Sequence, residues 1–181
     1  DIKNKGSTLL KDNINGVTGY NFNVIGDNTG VFYLQNDIKN ANVSMGGITL
    51  NTINNITHNY NFNSFSLSDS INMAVDVDLA NGTMDRISAD SFGQLNGNVN
   101  VVAMNLLSDA KNDLTTIEFA QNGLKDNVTT TVSEVAYSPI YKYNVSYDKS
   151  GENGMFVFAR PTAGGTSSTG NESDAFKPAV L

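Results

Sequence analysis

Hydrophobic and polar side chains alternate along most of the chain with a period of two. The longest apolar stripe comprises Ile71, Met73, Val75, Val77 and Leu79. Polar residues lie between its members, among them Asp76, and Asp78 follows Val77 in the same way. Shorter stripes of the same kind include Tyr20, Phe22 and Val24, Tyr60 and Phe62, Val99 and Val101, and Tyr141, Tyr143, Val145 and Tyr147. Successive side chains of a β-strand point to opposite faces of its sheet. The pattern therefore predicts strands with one buried face and one wet face, on which Asp76 and Asp78 would lie.

Turn-forming residues separate these stripes. Asn-Gly pairs occur at 15–16, 81–82, 96–97, 122–123 and 153–154, and such a pair suits a turn in which both residues have positive φ. Strands this short, with turns at short intervals, predict an all-β fold with very little helix. A sandwich usually places its hairpins about 8–12 residues apart. The irregular spacing seen here favours a parallel β-helix or β-solenoid, with an antiparallel β-sandwich as the alternative.

Residues 135–160 differ from the rest because two alternating runs flank a polar loop, which predicts a long antiparallel hairpin. Such a hairpin would cap the solenoid, whose last coil otherwise presents unpaired strand edges and an open core. The predicted organisation is therefore solenoid coils over 1–134, the capping hairpin over 135–160, a flexible Gly/Ser/Thr linker over 161–173 and a short apolar tail over 174–181. Apolar side chains of the tail need a partner, so its candidate assembly residues are Phe176, Val180 and Leu181.

Composition narrows the function classes. The net charge is −7, and no two of the 11 Lys and Arg residues are adjacent, so neither a nucleic-acid interface nor a polybasic membrane-surface patch is expected. The chain has no Cys, which excludes disulfides and thiolate chemistry. Its 27 Asn residues suit turns and exposed strands. No apolar run approaches the roughly 20 residues that span a bilayer, and the start at Asp1 suggests a processed product or an excised segment.

Candidate catalytic groups are sparse. The sequence has no Gly-x-Ser-x-Gly motif whose serine the single histidine, His58, could activate as a general base. We therefore expect His58 to be a solvated residue of a strand or turn. Asp76 and Asp78 lie about 6.6 Å apart on one face of a strand, a separation that glycoside hydrolysis permits. No neighbouring aromatic platform supports that reading. We therefore predict no catalytic residue, no cofactor and no metal site.

The aromatic stripes have two readings. They could form a platform on which sugar rings stack, or they could be the core of the fold. The core reading is preferred, because aromatic side chains bury large apolar areas.

One segment carries the strongest local signal. A strand ends near Asp78, a turn follows at Asn81-Gly82, and a second strand begins at Asp85-Arg86. We predict that Asn81, Gly82, Asp85 and Arg86 form a structural turn, in which Asp85 accepts hydrogen bonds from turn amides and Arg86 pairs with a neighbouring Asp. The segment fails as a calcium loop, because Ala80 stands at a ligand position.

This order of strand, Asn-Gly, Asp-Arg and strand resembles the coils of bacterial autotransporter passenger domains, over roughly residues 15–160. The resemblance implies the C-terminal part of a passenger β-helix, exposed at the outer surface of a bacterium or secreted. Its tail would lead toward an outer-membrane barrel.

The expected function is therefore a non-enzymatic structural stalk or adhesin that meets an unknown host or matrix ligand. The alternative is a subunit of an extracellular filament, which would self-associate through strand edges and the C-terminal tail. A polysaccharide lyase or hydrolase is a third reading, because such enzymes share the architecture.

Overall fold

The computed structural model describes residues 1–161 and is all-β, with a single turn of 3-10 helix at Lys125–Asn127. Its strands, in chain order, are β1 (Ile2–Asn4), β2 (Ser7–Leu9), β3 (Ile14–Gly26), β4 (Val31–Tyr33), β5 (Ile38–Gly46), β6 (Thr49–Asn51), β7 (Asn59–Leu67), β8 (Ile71–Asp78), β9 (Thr83–Met84), β10 (Arg86–Leu95), β11 (Val99–Ser108), β12 (Leu114–Ala120), β13 (Val128–Thr130), β14 (Glu134–Ala136), β15 (Lys142–Asp148) and β16 (Gly154–Ala159).

Two parallel sheets form the body of the molecule. The first sheet has the order β1-β3-β5-β7-β10, and the second has the order β13-β11-β8-β6-β4-β2. The chain alternates between the sheets, so each strand stacks on a strand from the coil before it. The result is a β-solenoid of about four turns, which confirms the predicted class.

Side chains at equivalent positions of successive coils stack between the two sheets. In the first sheet Val24 pairs with Met45, and Met45 pairs with Leu67. Phe62 pairs with the small Ala89, whereas Phe65 pairs with another ring, Phe92. The predicted inward residues that are buried are Val24, Tyr60, Phe62, Val75, Val77, Leu79, Val99 and Val101.

Tyr20 and Phe22 are only partly buried, and they pack against the edge of this core. Each large apolar side chain that leaves water completely stabilises the fold by about 1.5–3 kcal/mol. The stacked stripes are therefore the main source of stability.

An antiparallel sheet with the order β12-β16-β15-β14 follows the coils. Strands β15 and β16 form the long hairpin, with Val145 opposite Phe158 and Tyr147 opposite Phe156. Strand β12, from the last coil, pairs with β16, so the sheet extends beyond the hairpin itself. Tyr143, Phe156 and Phe158 are fully buried and join the solenoid core.

A side chain completes the exposed edge of β10. The backbone N–H of Ala89 donates to Gln121 Oε1 at 2.8 Å, and Gln121 Nε2 donates to the carbonyl of Ala89 at 3.1 Å. The carboxamide thus occupies the place of a peptide group in the next coil. This arrangement satisfies backbone groups that would otherwise be left unpaired at the end of the stack.

The predicted conformation of the Asn-Gly pairs was wrong in detail. Gly82 has φ of +68°, but Asn81 does not have positive φ, and neither residue of the other four pairs does. The left-handed asparagines are instead Asn28, Asn40 and Asn55. The linker and tail beyond residue 161 lie outside the described residues.

Candidate functional site

The turn at Asn81-Gly82 reverses the chain. Strand β9 runs antiparallel to the end of β8, with Val77 opposite Met84, before the chain crosses to β10 in the other sheet. Asn81 is fixed by Asp78, whose carboxylate accepts from the Asn81 backbone N–H at 3.2 Å and from Asn81 Nδ2 at 2.7 Å. A Cβ at Gly82 would meet nothing within 4 Å, so the turn requires glycine for its left-handed backbone and not for space.

Asp85 is fully buried and holds three donors. Its Oδ1 accepts from the backbone N–H of His58 at 2.8 Å. Its Oδ2 accepts from the N–H of Asp76 at 2.8 Å and from Thr52 Oγ1 at 2.7 Å. One carboxylate therefore ties the segment before β7 to the C-terminal part of β8. Asp85 does accept from backbone amides, but these amides belong to β8 and to the segment before β7, not to the turn itself.

The predicted exposure of Asp76 was wrong, because this residue is fully buried. The segment 52–58 covers it on the outer side of the second sheet. The backbone N–H of Asn54 donates to Asp76 Oδ2 at 2.7 Å, and Asn105 Nδ2 donates to Oδ1 at 2.8 Å. Asp78 is only partly exposed, so the two residues do not form an open pair of carboxylates. The side chain of Asp76 has no solvent-accessible surface.

Burial dominates the titration of Asp85 and raises its pKa to about 6. The hydrogen bonds from Asp76, Thr52 and His58 oppose this shift, and the charge of Asp76 adds to it. We call Thr52, Asp76 and Asp85 the carboxylate clasp, because the carboxylate oxygens accept hydrogen bonds from backbone groups of the same chain.

Arg86 does not pair with an Asp, contrary to the prediction. Its Nη1 donates to Glu118 Oε2 at 2.5 Å, and Glu118 Oε1 accepts from Asn153 Nδ2 at 3.0 Å. Glu118 lies on β12 and Asn153 lies just before β16. The pair therefore joins the start of the last coil to the capping sheet.

His58 lies just before β7 and is partly solvated, with 45% of its side chain exposed. Its Nε2 lies 2.6 Å from Asp37 Oδ1, and its ring meets Tyr60 edge-on with the ring centroids 4.7 Å apart. Sequence reasoning missed Asp37, which is 21 residues away and becomes a neighbour only through coil stacking.

This pair borders a polar cleft of about 360 Å³ on the outer face of the first sheet. Its side chains come from successive coils, so no continuous sequence motif could have revealed it. We call it the first-sheet cleft; it is lined by Thr18, Asp37, Lys39, Asn40, His58, Asn59, Asn61, Phe62, Asn63 and Asp90.

A bulge in β3 forms one rim of the cleft. Asn15 pairs with Lys39 and Tyr20 pairs with Ala41, so four residues of β3 stand opposite Asn40 alone. Asn40 has φ of +68°, and its Nδ2 donates to Asn15 Oδ1 at 3.0 Å and to the carbonyl of Gly16 at 2.9 Å. Thr18 lies within the bulge and is exposed.

Most of the aromatic stripes belong to the core. Tyr60, Phe62 and Tyr143 are at most 1% exposed, whereas Tyr141 is 42% exposed near the tip of the β14–β15 connection. The aromatic stripes therefore offer no open row of rings on which sugars could stack. Phe62 borders the first-sheet cleft but presents almost no surface to it.

Within residues 1–161, no group of three or more His, Cys, Asp or Glu side chains is arranged to hold a metal ion. No helix in this part of the chain is long and apolar enough to cross a membrane. The candidate assembly residues Phe176, Val180 and Leu181 lie outside the described residues.

Fold and site together define a β-solenoid with an antiparallel cap, a buried carboxylate clasp and a polar cleft. No protein-family model matches the chain, and comparisons with curated proteins and with solved structures find no significant match.

Proposed function

We propose that the protein is a non-enzymatic β-solenoid, displayed on a bacterial surface or secreted, that serves as a structural stalk or adhesin. We further propose that it is the C-terminal part of an autotransporter-type passenger domain. The observation that carries the proposal is one continuous stack of coils closed at one end by an antiparallel sheet.

The backbone geometry supports a stalk. Adjacent strands of a sheet are about 4.8 Å apart, so the five strands of the first sheet span about 19 Å along the stack. Each coil contacts mainly its neighbours, so the length of such a rod grows with the number of coils. The carboxamide of Gln121 and the capping sheet close the end at β10, where further pairing would otherwise occur.

The side chains support a binding role more than a catalytic one. Asp76 and Asp85, the buried carboxylates, accept hydrogen bonds from their own chain. The open polar surface lies across the first sheet, where several coils contribute to one face. A rod that presents such a face suits contact with a host or matrix ligand, and it needs no cofactor.

Adhesion of coated beads tests this proposal. Beads that carry residues 1–161 should adhere to a host or matrix surface more than beads that carry the same chain after heat denaturation. Equal adhesion of the two bead types on every surface would contradict an adhesive role.

A filament subunit is the second candidate, favoured by the open end of the stack. Within residues 1–161, no strand pairs with the outer edges of β1 and β2. Such edges accept strands from other chains. Both strands have only three residues, however, and Lys3 lies within β1. Short, charged edges discourage sheet extension, so the stalk is preferred.

Electron microscopy of the purified chain separates these two candidates. Isolated short rods at every protein concentration support the stalk. Regular fibres that lengthen with concentration would support the filament subunit and displace the leading proposal.

A further inference from the structure

We propose that the first-sheet cleft is a binding site for a neutral glycan chain. The inference rests on the proposed role as an adhesin and names the class of ligand that this role would involve. It arises from four features of the cleft: unpaired polar groups, a built rim, the absence of an apolar floor and the absence of clustered cations.

The cleft presents donors and acceptors that the rest of the described chain leaves unused. No hydrogen bond within residues 1–161 involves the side chain of Lys39, Asn59 or Asp90. Asn61 accepts from Ser88 Oγ at 2.8 Å, and its Nδ2 makes no bond inside this part of the molecule. Sugar hydroxyls both donate and accept, so they match a surface that mixes amides, a carboxylate and an ammonium group.

The rim is a built feature of the fold. Gly19 belongs to the bulge of β3 that stands opposite Asn40, and both residues have left-handed backbones, with φ of +91° and +68°. Side-chain amides hold this conformation, since Asn40 binds Asn15 and Gly16, and Asn42 Nδ2 donates to the carbonyl of Gly19 at 3.0 Å. Bulges and unusual backbone conformations concentrate at binding sites, because a regular ladder would be more stable without them.

A peptide fits the cleft less well than a glycan. Peptides bind by adding a strand to a sheet edge or by placing apolar side chains in a groove. Beside the cleft β5 pairs with β3 and β7 pairs with β10, so neither strand is an outer edge of the sheet, although β5 and β7 pair with each other only from Asn42 and Ser64 onward. Phe62, the one large apolar residue among its lining residues, is 1% exposed, so no apolar floor is available.

A polyanionic ligand also fits the first-sheet cleft less well than a neutral glycan. Asp37 and Asp90 supply two carboxylates, Lys39 supplies one ammonium group, and His58 already faces Asp37 at 2.6 Å. Phosphate or sulfate groups need clustered cations, which this face lacks. Nucleic acids and sulfated glycans are therefore poor ligands for the cleft. Contributions from four strands of successive coils suit an extended segment of a neutral chain.

Titration with defined oligosaccharides tests the proposal. The probes are the linear hexasaccharides of maltose, cellulose, mannan and chitin, with a heparin hexasaccharide as the anionic comparison. We expect at least one neutral probe to bind with a Kd of about 1 mM or tighter. Asn59→Ala and Asp90→Asn should each weaken that binding about fivefold, the effect of losing one hydrogen bond.

Two matched variants serve as controls. Asn144→Ala removes an exposed amide on β15 of the capping sheet, and Asp12→Asn removes an exposed carboxylate before β3. Both should bind the probe like the parent chain. Because the side chains of Asn59 and Asp90 are exposed and hold no other group, thermal melts of all four variants should match the parent.

Three results would overturn the inference: no binding of any neutral probe at several millimolar, unchanged binding by both cleft variants, or preferential binding of the heparin probe. Binding of an unstructured peptide that the same variants abolish would assign the cleft to peptides instead. Bead adhesion without binding of a neutral probe would support the adhesive role and contradict the assignment of the cleft to glycans. Binding of a neutral probe without bead adhesion would support the glycan site and contradict the adhesive role.

Discussion

The carboxylate of Asp85 and the backbone of Asp76 exchange hydrogen bonds across the second sheet. Asp85 Oδ2 accepts from the N–H of Asp76 at 2.8 Å, and the N–H of Asp85 donates to the carbonyl of Asp76 at 3.0 Å. The turn between β8 and β9 places these residues side by side. The exchange fixes where the chain leaves one sheet for the other.

Asp85→Ala should lower the free energy of unfolding by about 2–4 kcal/mol. The change leaves the N–H groups of Asp76 and His58 without an acceptor, and each unpaired group costs about 1–3 kcal/mol, whereas the hydroxyl of Thr52 retains the carbonyl of Ala74 at 3.1 Å. Urea denaturation measures the effect. Asp12→Ala, at an exposed position, should leave the transition unchanged. Equal transitions for the two variants would mean that the clasp contributes nothing.

Stability should fall as the pH rises from about 4 to about 6. Burial raises the pKa of Asp85 to about 6 from an ordinary value of 3.8, so the folded state binds a proton that the unfolded state has released. The stabilisation is therefore complete below pH 4 and lost above pH 6. It amounts to about 2–3 kcal/mol. Asp78, whose pKa is lowered because hydrogen bonds outweigh burial, contributes in the opposite direction and below this window.

Urea midpoints measured at several pH values between 4 and 7 check this dependence. The parent chain should show the decline, and Asp85→Asn should lose most of it, since an amide does not titrate. A midpoint that instead rises from pH 4 to pH 6 in the parent would contradict the assigned direction.

Val77→Asp should destabilise the fold by more than about 4 kcal/mol, because it places an unpaired charge in the core. Val77 is fully buried, with Met84 and Leu106 as its partners in the neighbouring strands. Val17→Asp is the matched control, because Val17 is 82% exposed on the bulge of β3. Thermal melts that shift equally for both variants would refute the inward orientation of the longest stripe.

Gly82→Val should lower stability by about 1–2 kcal/mol through backbone strain alone. Gly82 has φ of +68°, and a Cβ built there meets nothing. Gly151→Val is the control, because a Cβ at Gly151 also meets nothing and its backbone is not left-handed. The difference between the two variants in urea denaturation isolates the conformational cost. No difference would mean that the turn relaxes to another conformation.

Gln121→Leu should lower the stability of the C-terminal end by about 1–3 kcal/mol, because Ala89 loses both backbone partners. Hydrogen exchange at the Ala89 amide should become faster in the variant. The amide of Asn61, which lies on the neighbouring strand β7, should exchange at its former rate. Unchanged exchange at Ala89 would show that the carboxamide does not close the edge of β10.

Period-two alternation was sufficient to predict the all-β class and the inward face of Val77, because one side of each strand is packed against the core. It failed at Asp76, which occupies a polar position and is nevertheless buried. Alternation separates the two faces of a strand but carries no information about what covers the outer one. Here segment 52–58, which contains few strand signals, folds over that face.

The sequence also failed to reveal the partners of Arg86 and His58. Glu118 and Asp37 become neighbours only when coils of unequal length stack in register. Register depends on loop lengths and bulges, such as the four residues that β3 places opposite Asn40. Neither is encoded in a local pattern, so the cleft built from four strands could not be predicted.

Labelling of intact cells of the source organism tests the central claim most directly. An antibody raised against residues 1–161 should label unpermeabilised cells, or should detect the chain in the culture medium, as expected for a displayed or secreted stalk. Labelling that appears only after permeabilisation, with no chain in the medium, would contradict the account.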